Sequence, residues 1–293
     1  MLTREYRGFT LIELLVVVTI IVVLLALLTP ALDKAIEQAN IAVCGSHLKG
    51  IGQASVTYAL ENKKQFIICR GRTITQIFSP AGFNGYDNYP DDAKVDWLEA
   101  LATVGLAASS KSTVHSSTMG NNGNIHLADT GGTTPINDIG RIWDCPSRNY
   151  KSGWDSYWNQ MPVNYQYFGG VRTWRNPSGD FPARSPVSLS TSGGNWALAA
   201  DMTARLNHNW GDDNGNPQFY ADIPAHKAAD GRRAAGGNNG YVDGSVAWYP
   251  FDEMVYIHFY LVDASYNIEF FWHQSELGEY NPPEEAQGRY IKD

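Results

Sequence analysis

One long apolar run dominates the pattern of hydrophobic and polar positions at the start of the chain. Between Phe9 and Leu32 the only ionisable side chain is Glu13. The stretch Phe9–Thr29 would form a helix about 31 Å long at about 1.5 Å per residue, which is enough to cross the hydrocarbon core of a bilayer. The apolar region of a secretory signal is shorter, about 7–15 residues. The pattern therefore predicts a membrane-spanning helix.

A second helical pattern follows the apolar run and continues to about Asn62. Apolar residues recur there at intervals of three and four, and charged residues occupy other faces, which is typical of an amphipathic helix. Pro30 lies between the two parts and is expected to bend the helix. Three glycines, each of which lowers helix stability by about 1 kcal/mol relative to alanine, mark a segment that is either loosened or closely packed: Gly45, Gly50 and Gly52. The amphipathic half requires a partner surface, either the chain's own outer domain or neighbouring helices.

The remainder of the chain has the pattern of short strands and loops. Runs rich in β-branched and aromatic residues predict strands at Gln65–Cys69, Arg141–Cys145, Val163–Phe168, Trp196–Ala200, Gly240–Trp248, Met254–Leu261 and Asn267–Trp272. The segment Val95–Leu106 predicts a short amphipathic helix, and the polar stretches 108–135 and 281–293 predict an exposed loop and a loosely attached tail. A long helix followed by an antiparallel sheet is an α+β layout.

Composition and charge narrow the functional classes. A chain of 293 residues with 43% hydrophobic and 18% charged residues is too apolar to be disordered. Since 30 Asp and Glu exceed 22 Lys and Arg, no basic surface for nucleic acid is expected. The sequence lacks the G-x-S-x-G, P-loop and G-x-G-x-x-G patterns, and its seven histidines lack metal-binding spacing. We therefore expect neither a familiar enzyme nor a metal site.

The charges that precede the apolar run predict its orientation. Arg4 and Arg7 outnumber Glu5 in this short flank. A net positive flank keeps its end of a span in the cytoplasm, so the rest of the chain is expected outside the membrane.

The residues around the start of the apolar run carry a resemblance. Arg7-Gly8-Phe9-Thr10-Leu11-Ile12-Glu13 resembles the processing signal of type IV prepilins and type II secretion pseudopilins. The resemblance implies that a prepilin peptidase cleaves between Gly8 and Phe9 and methylates the new amine of Phe9. Glu13 is then the fifth mature residue, and Pro30 the twenty-second, where pilins of this family often carry a helix-bending proline.

Glu13 is the unusual residue of the span. An acidic side chain within an apolar span costs about 2.5–3.5 kcal/mol on insertion scales, so a partner is expected unless the residue is hydrated at the membrane surface. In the resembling family, this carboxylate is thought to neutralise the Phe9 amine of a neighbouring subunit during filament assembly. The alternative is a pair within one chain, because Phe9 and Glu13 are four residues apart on one helix face.

The resemblance also implies a fold, a location and partners. A pilin-like α+β fold would divide the chain into a cytoplasmic leader, a transmembrane helix, an amphipathic continuation, an extracytoplasmic β-rich domain and a polar tail, at 1–8, 9–30, 31–64, 65–280 and 281–293. The protein would lie in the bacterial inner membrane with its outer domain in the periplasm or on a surface filament. Its partners would be the prepilin peptidase and other pilin or pseudopilin subunits. The implied function is structural, as a minor pilin or pseudopilin, and not catalytic.

A weaker resemblance covers most of the chain. A group of bacterial prepilin-like proteins has a late-helix Cys with Leu-Lys-x-Ile-Gly, a Cys-Pro-Ser, and a His that nine residues separate from an Asp-Gly. The matching segments here are Cys44, Leu48–Gly52, Cys145–Ser147 and Asp243-Gly244. At the position of the family's histidine this chain has Arg233, and the nearest upstream histidine is His226. Asp243-Gly244 also suits a β-hairpin turn, which is the interpretation we favour.

Two candidate sites outside the apolar run involve ligand or covalent chemistry. An oxygen-rich loop could hold Ca²⁺ through the side chains of Asp212, Asp213, Asn214 and Asn216. The loop lacks the residue spacing of a calcium-binding loop, so an ordinary turn is the alternative. No other cofactor is expected. In an oxidising compartment Cys145 could form a disulfide with Cys69 or equally with Cys44, and one thiol stays free in either case.

A second functional class remains open. The chain could be a membrane-tethered extracytoplasmic enzyme or glycan-binding module that uses the prepilin signal for export. Nine tryptophans and sixteen tyrosines would supply rings that stack on sugars, with Trp154–Trp158 and Asn195-Trp196 as the first candidates. Aromatic residues more often fill cores and interfaces, which is the alternative.

Overall fold

The computed structural model describes residues 10–70, 73–78, 141–150, 152, 160–210, 222–263 and 266–279. The predicted helix Val95–Leu106, the polar loop 108–135 and the tail 281–293 lie outside these residues. The chain divides into two compact units, Met1–Asn40 and Ile41–Asp293.

A single α-helix, α1, runs over Leu11–Glu61 and contributes to both units. The prediction of one continuous helix is confirmed, because Pro30 and the three glycines lie inside it without interrupting it. The helix ends where Lys63 and Lys64 adopt positive φ angles of 52° and 62°. The side-chain amide of Asn62 donates to the carbonyl of Tyr58 at 2.9 Å, which satisfies a carbonyl of the last turn.

The part of α1 from Leu11 to Leu32, in the first unit, is mostly apolar and exposed. The side chains from Leu11 to Leu32 are exposed, and most of them are large hydrophobic residues. Among the described residues, α1 is the one helix long and apolar enough to cross a membrane. Exposure of this kind is unfavourable in water and is expected of a surface that faces lipid or other helices.

In the second unit the same helix has one buried stripe. Its buried residues recur every three or four positions: Cys44, Leu48, Ile51, Gly52, Ser55, Tyr58 and Ala59. This spacing places them on one face, which packs into the hydrophobic core together with the strands. The partner surface required by the amphipathic half is therefore the chain's own domain.

Twelve strands lie among the described residues, in four antiparallel sheets. They are β1 (Cys69–Arg70), β2 (Thr73–Phe78), β3 (Gln160–Pro162), β4 (Tyr165–Tyr167), β5 (Thr173–Asn176), β6 (Gly179–Pro182), β7 (Ala197–Asp201), β8 (Ala204–Leu206), β9 (Gly236–Tyr241), β10 (Val246–Pro250), β11 (Val255–Asp263) and β12 (Tyr266–Trp272). The sheet orders are β1-β2-β3, β10-β9-β7-β4, β11-β12-β8 and β5-β6. The predicted α+β class is confirmed.

The four-stranded sheet approaches helix α1 through a strand that is almost bare of large side chains. Strand β9 has the sequence GGNNGY and is buried along its whole length. A Cβ added at Gly240 would lie 3.5 Å from the Cβ of Leu48, which is ordinary van der Waals contact. The side-chain amide of Asn238 donates to the carbonyl of Ile41 at 3.0 Å. The small residues of β9 therefore allow the helix to lie directly on the sheet.

A group of stacked aromatic rings forms another part of the core. The ring centroids of Phe168 and Trp272 are 4.4 Å apart, and Trp174 lies 5.8 Å and 5.1 Å from these two rings. All three side chains are buried. These large aromatic residues therefore fill the core of the domain, which is the role that aromatic residues have more often than sugar binding.

The hairpin predicted at Asp243-Gly244 is confirmed. Strands β9 and β10 pair in register, and the amide of Gly244 donates to the carbonyl of Tyr241 at 3.0 Å. Gly244 has a φ of +83°, which a residue without a Cβ adopts at little cost. The amide of Tyr241 then bonds to the carbonyl of Ser245 at 2.9 Å, which gives a three-residue loop with a bulge.

Three predicted strands differ from the structure. The turn at Asp243-Gly244 divides Gly240–Trp248 between the end of β9 and the start of β10. Arg141–Cys145 is wrong as a strand, because Arg141–Trp143 forms a short 3₁₀ helix. Trp143 and Cys145 are both buried and alternate with a less buried residue, so the period-two pattern reflects burial without strand pairing. Of Gln65–Cys69, Cys69 lies in β1, whereas Gln65 forms an isolated bridge with Ser188.

Candidate functional site

The N-terminal candidate site begins at the first turn of α1. Gly8 and Phe9 lie outside the described residues. The carboxylate of Glu13 accepts hydrogen bonds from the backbone amide of Thr10 at 2.9 Å and from its hydroxyl at 2.8 Å, and the amide of Glu13 donates to that hydroxyl at 3.3 Å. This reciprocal arrangement is a capping box, in which each side chain satisfies a backbone amide of the first turn. Pairing of Glu13 with the amine of Phe9 stays a prediction.

The structure describes only some of the other residues that the sequence predicts to be functional. Pro30 lies inside the helix, as expected. The calcium candidates Asp212, Asp213, Asn214 and Asn216 lie outside the described residues, as does the aromatic cluster Trp154–Trp158. Trp196 is half-buried, with its ring nitrogen 3.4 Å from the carboxylate of Glu276 and the guanidinium of Arg184 5.6 Å from its ring.

A second group of reactive side chains lies inside the domain. Cys44 is on the buried stripe of α1, Cys145 follows the 3₁₀ helix, and their sulfur atoms are 3.1 Å apart. All three cysteines are buried and none is in a disulfide. The structure thus brings Cys145 against Cys44, while the formation of either disulfide stays a prediction.

His226 completes this buried group. The ligand atoms of Cys44, Cys145 and His226 all lie within 4.8 Å of one another. His226 Nε2 is 3.2 Å from Oδ2 of Asp201, the last residue of β7. The same carboxylate oxygen accepts hydrogen bonds from the backbone amide of Asn238 at 2.7 Å and from its side-chain amide at 2.9 Å. We call Cys44, Cys145 and His226 the thiol–imidazole cluster.

The surroundings of the cluster affect the two thiols differently. The hydrogen bond between the two thiols, followed by burial, raises the pKa of Cys44. The same bond lowers the pKa of Cys145, since it stabilises the thiolate, and the nearby His226 acts in the same direction. The hydroxyl of Tyr165 bonds to Cys44 and lies 3.0 Å from His47 Nδ1, and burial raises the pKa of Tyr165 well above its usual range. Cys145 is therefore the more acidic thiol.

The position of His226 cannot be predicted from residue spacing, because the residue that the spacing selects lies elsewhere. Arg233, which occupies the histidine position of the resembling group, is exposed and paired with Asp230 at 2.8 Å. Residues between His226 and Ala235 form a small hairpin, closed by a hydrogen bond from the amide of Ala235 to the carbonyl of His226 at 2.9 Å. His226 lies at the base of this hairpin. The Pro-Ala-His sequence gives no signal for that geometry.

Comparison with known proteins identifies the N-terminal site. The family described as "Prokaryotic N-terminal methylation motif" matches residues 3–29. The chain is 41% identical over 59 residues to "Type II secretion system core protein G" of Pseudomonas aeruginosa. That match covers 20% of this chain and spans about two fifths of the relative, 42% of its length. No solved structure matches the chain.

These matches concern the beginning of the chain. The methylation motif contains the charged flank, the predicted cleavage position, Glu13 and most of the exposed apolar helix. The chain therefore carries a prepilin-type N-terminal methylation motif, and its N-terminal region resembles that of a type II secretion pseudopilin.

Proposed function

We propose that this chain is a structural subunit, a minor pilin or pseudopilin, that assembles through its N-terminal helix into a pilus-like or type II secretion filament. One observation carries the proposal: the methylation motif at residues 3–29 coincides with the exposed apolar part of α1 and its single acidic residue. A surface of this kind needs lipid before assembly and other helices after it.

In the proposed pathway the first step is processing. A prepilin peptidase removes residues 1–8 and methylates the new amine of Phe9. Arg4 and Arg7 keep this end in the cytoplasm, and the domain lies outside the inner membrane. The match of the motif to this segment supports the step.

The second step is lateral packing of the processed helices. A carboxylate and an amine attract each other strongly in a low-dielectric environment. Glu13, whose carboxylate bonds to Thr10 in the single chain, then neutralises the Phe9 amine of a neighbouring subunit. The role of the chain is therefore assembly and not catalysis.

The processing step is tested by mass spectrometry of the mature protein, expressed with and without an active prepilin peptidase. We expect the active peptidase to yield a chain that begins at Phe9 and carries one methyl group. An uncut chain, or a cut far beyond Phe9, counts against the proposal.

The assembly step is tested by replacing Glu13 with Val and with Gln. Glutamine keeps a side-chain acceptor for the capping box but has no charge. If the charge drives assembly, both variants are cleaved normally and neither enters filaments. If Glu13→Gln assembles like the unmodified chain, the carboxylate acts only as a helix cap. Glu61→Gln, at the exposed end of the same helix, is the matched control and assembles normally.

A further inference from the structure

The thiol–imidazole cluster is not used by the proposed filament assembly. Its three residues come from distant parts of the chain, and each is at most 1% exposed. Two sulfur donors and one nitrogen donor converge within 4.8 Å in the interior of the domain. Burial of the imidazole of His226 costs free energy unless the ring has partners, whereas buried thiols behave as small apolar groups.

The donor set is one that thiolate-preferring metals use. Zinc is commonly bound by two cysteines and histidine, at about 2.3 Å for sulfur and about 2.0–2.1 Å for nitrogen. Tetrahedral geometry with these bond lengths puts two sulfur ligands about 3.8 Å apart. The two sulfurs of the cluster are 3.1 Å apart, and the three ligand atoms lie within 4.8 Å. Small side-chain movements would therefore make the distances suitable for a metal.

A buried carboxylate lies beside the imidazole of His226 within ion-pair distance. Asp201 approaches His226 Nε2 at 3.2 Å and is itself fixed by two hydrogen bonds from Asn238. We assign His226 Nδ1 to the metal, because the carboxylate lies beside the other ring nitrogen; Nδ1 is 3.4 Å from the hydroxyl of Ser147. Carboxylate–histidine–metal arrangements of this type orient the ring and strengthen the ligand.

The negative charge of Asp201 is only partly compensated by hydrogen bonds. Its Oδ1 is buried and accepts no hydrogen bond from the residues that the structure describes. A buried carboxylate oxygen without a hydrogen bond is unfavourable, and a cation nearby would compensate it. The hydroxyl of Tyr165 forms a hydrogen bond with the sulfur of Cys44 and so helps to fix the position of that ligand.

We propose that Cys44, Cys145 and His226 bind a zinc ion, with Asp201 as the residue that positions His226. On binding, each thiol loses its proton to solvent, so two protons leave as one Zn²⁺ forms two Zn–S bonds. The ion ties the buried stripe of α1, through Cys44, to two loops of the domain. Each of the three ligands is at most 1% exposed, so the ion lies in the interior of the domain.

The first test measures zinc in the full-length chain, purified in detergent under reducing conditions without chelator. We expect about one zinc per chain. Cobalt substituted for zinc gives thiolate-to-cobalt charge-transfer absorption and the intense visible bands of a tetrahedral site. X-ray absorption of the zinc-bound chain shows two sulfur ligands together with nitrogen or oxygen ligands. This spectrum needs no variant, so it stands even if a variant fails to fold.

The second test uses variants. Cys44→Ser and His226→Asn reduce zinc affinity at least about tenfold, and Asp201→Asn reduces it about 10–100-fold, as expected of a second-shell residue. Cys69→Ser is the matched control, because Cys69 is equally buried but lies outside the cluster. It retains zinc like the unmodified chain.

Three results would overturn the proposal. One is a chain that contains no zinc and, when reduced, takes up none from added Zn²⁺. Another is a Cys44–Cys145 disulfide in the chain as isolated, detected by mass spectrometry of its peptides. The third is equal loss of zinc in Cys69→Ser, which would place the metal elsewhere. None of these results bears on N-terminal processing.

Discussion

Individual charged residues in the domain differ sharply in how far they are removed from water. Arg205 and Glu269 form an ion pair between β8 and β12, with side chains 6% and 0% exposed. The guanidinium also lies 5.4 Å from the ring centre of Phe271. By contrast, Arg175 and Asp180 form a pair whose side chains are 44% and 39% exposed. Water weakens the exposed pair, whereas the buried pair has no solvent to replace a lost partner.

Removing one partner should therefore have unequal effects. We expect Arg205→Met to lower the free energy of unfolding by about 3 kcal/mol, because buried Glu269 loses its guanidinium partner and keeps only the contact with the exposed ring of His208. Arg175→Met should lower it by at most about 1 kcal/mol. Urea unfolding of the detergent-solubilised chain, followed by tryptophan fluorescence, measures both.

A double variant separates charge from packing. Arg205→Met combined with Glu269→Leu removes both buried charges and should regain most of the stability lost in Arg205→Met. If the double variant is as unstable as the single one, packing of the Arg205 side chain and not its charge accounts for the loss.

A histidine in the domain links stability to pH. The ring of His273 stacks on that of Tyr249 with centroids 3.7 Å apart, and its Nδ1 is 2.9 Å from the hydroxyl of Tyr241. Burial lowers the pKa of His273, and the charge of Glu253 opposes this in part. The unfolded chain, with a histidine pKa of about 6.5, therefore binds a proton more readily than the folded chain does.

Stability should rise with pH through this interval. The contribution of neutral His273 is fully present above the unfolded pKa of about 6.5 and is lost as pH falls toward the lowered folded pKa. We expect His273→Gln to flatten the dependence of the urea midpoint on pH between neutral and mildly acidic conditions. Glu253→Gln should steepen it, since the opposing charge is removed. An unchanged pH profile in His273→Gln would contradict this account.

Residues that act locally were easier to predict than residues that meet through folding. Glu13 was identified because a single acid in an apolar run is visible in the sequence. His226 and Asp201 gave no such signal, because their contact depends on strand β7 and a hairpin far along the chain. For the same reason sequence could not choose between the two partners of Cys145.

At the scale of secondary-structure elements, local sequence patterns predict the long helix and the tight hairpin correctly. Helix α1 and the hairpin at Asp243-Gly244 were predicted because spacing and turn residues are local signals. The 3₁₀ helix Arg141–Trp143 was predicted as a strand because burial alternates there. Strand β9 was only partly predicted, since its GGNNGY sequence has low strand propensity and is stabilised by packing against α1.

The glycines of α1 have different surroundings, and this gives an element-scale prediction. A Cβ added at Gly52 meets no atom within 4 Å, whereas one at Gly50 would lie 2.7 Å from the terminal carbon of Ile142. Gly52→Ala should therefore raise the free energy of unfolding by about 1 kcal/mol, through helix propensity alone. Gly50→Ala should gain less or lose stability, because Ile142 must move. Urea unfolding of the two variants gives the comparison, and equal gains would contradict it.

At the scale of the whole molecule, sequence predicted the order of parts but not their arrangement. The apolar run, the amphipathic helix and the β-rich region follow directly from composition along the chain. The division into four antiparallel sheets does not, because pairs such as β4 with β7 and β8 with β12 join segments far apart in sequence. Strand pairing of this kind depends on the complete core.

The burial of side chains along α1 shows which part of the helix packs into the core of the domain. Side chains from Leu11 to Leu32 are exposed, and the first buried side chain of α1 is that of Cys44, within the compact unit that starts at Ile41. The carbonyl of Ile41 also accepts a hydrogen bond from Asn238. The apolar part of α1 should therefore serve anchoring and assembly, and the later part should serve the stability of the domain.

Two truncations test this division of the helix. A chain that begins at Asp33 should remain in solution without detergent and unfold at the same urea concentration as the full-length chain. A chain that begins at Gly45 should unfold at a lower urea concentration, because it lacks buried Cys44 and the carbonyl that Asn238 uses. If the first truncation is already destabilised, residues before Asp33 contribute to the domain. If the second is as stable as the first, packing of the domain against α1 begins beyond Cys44.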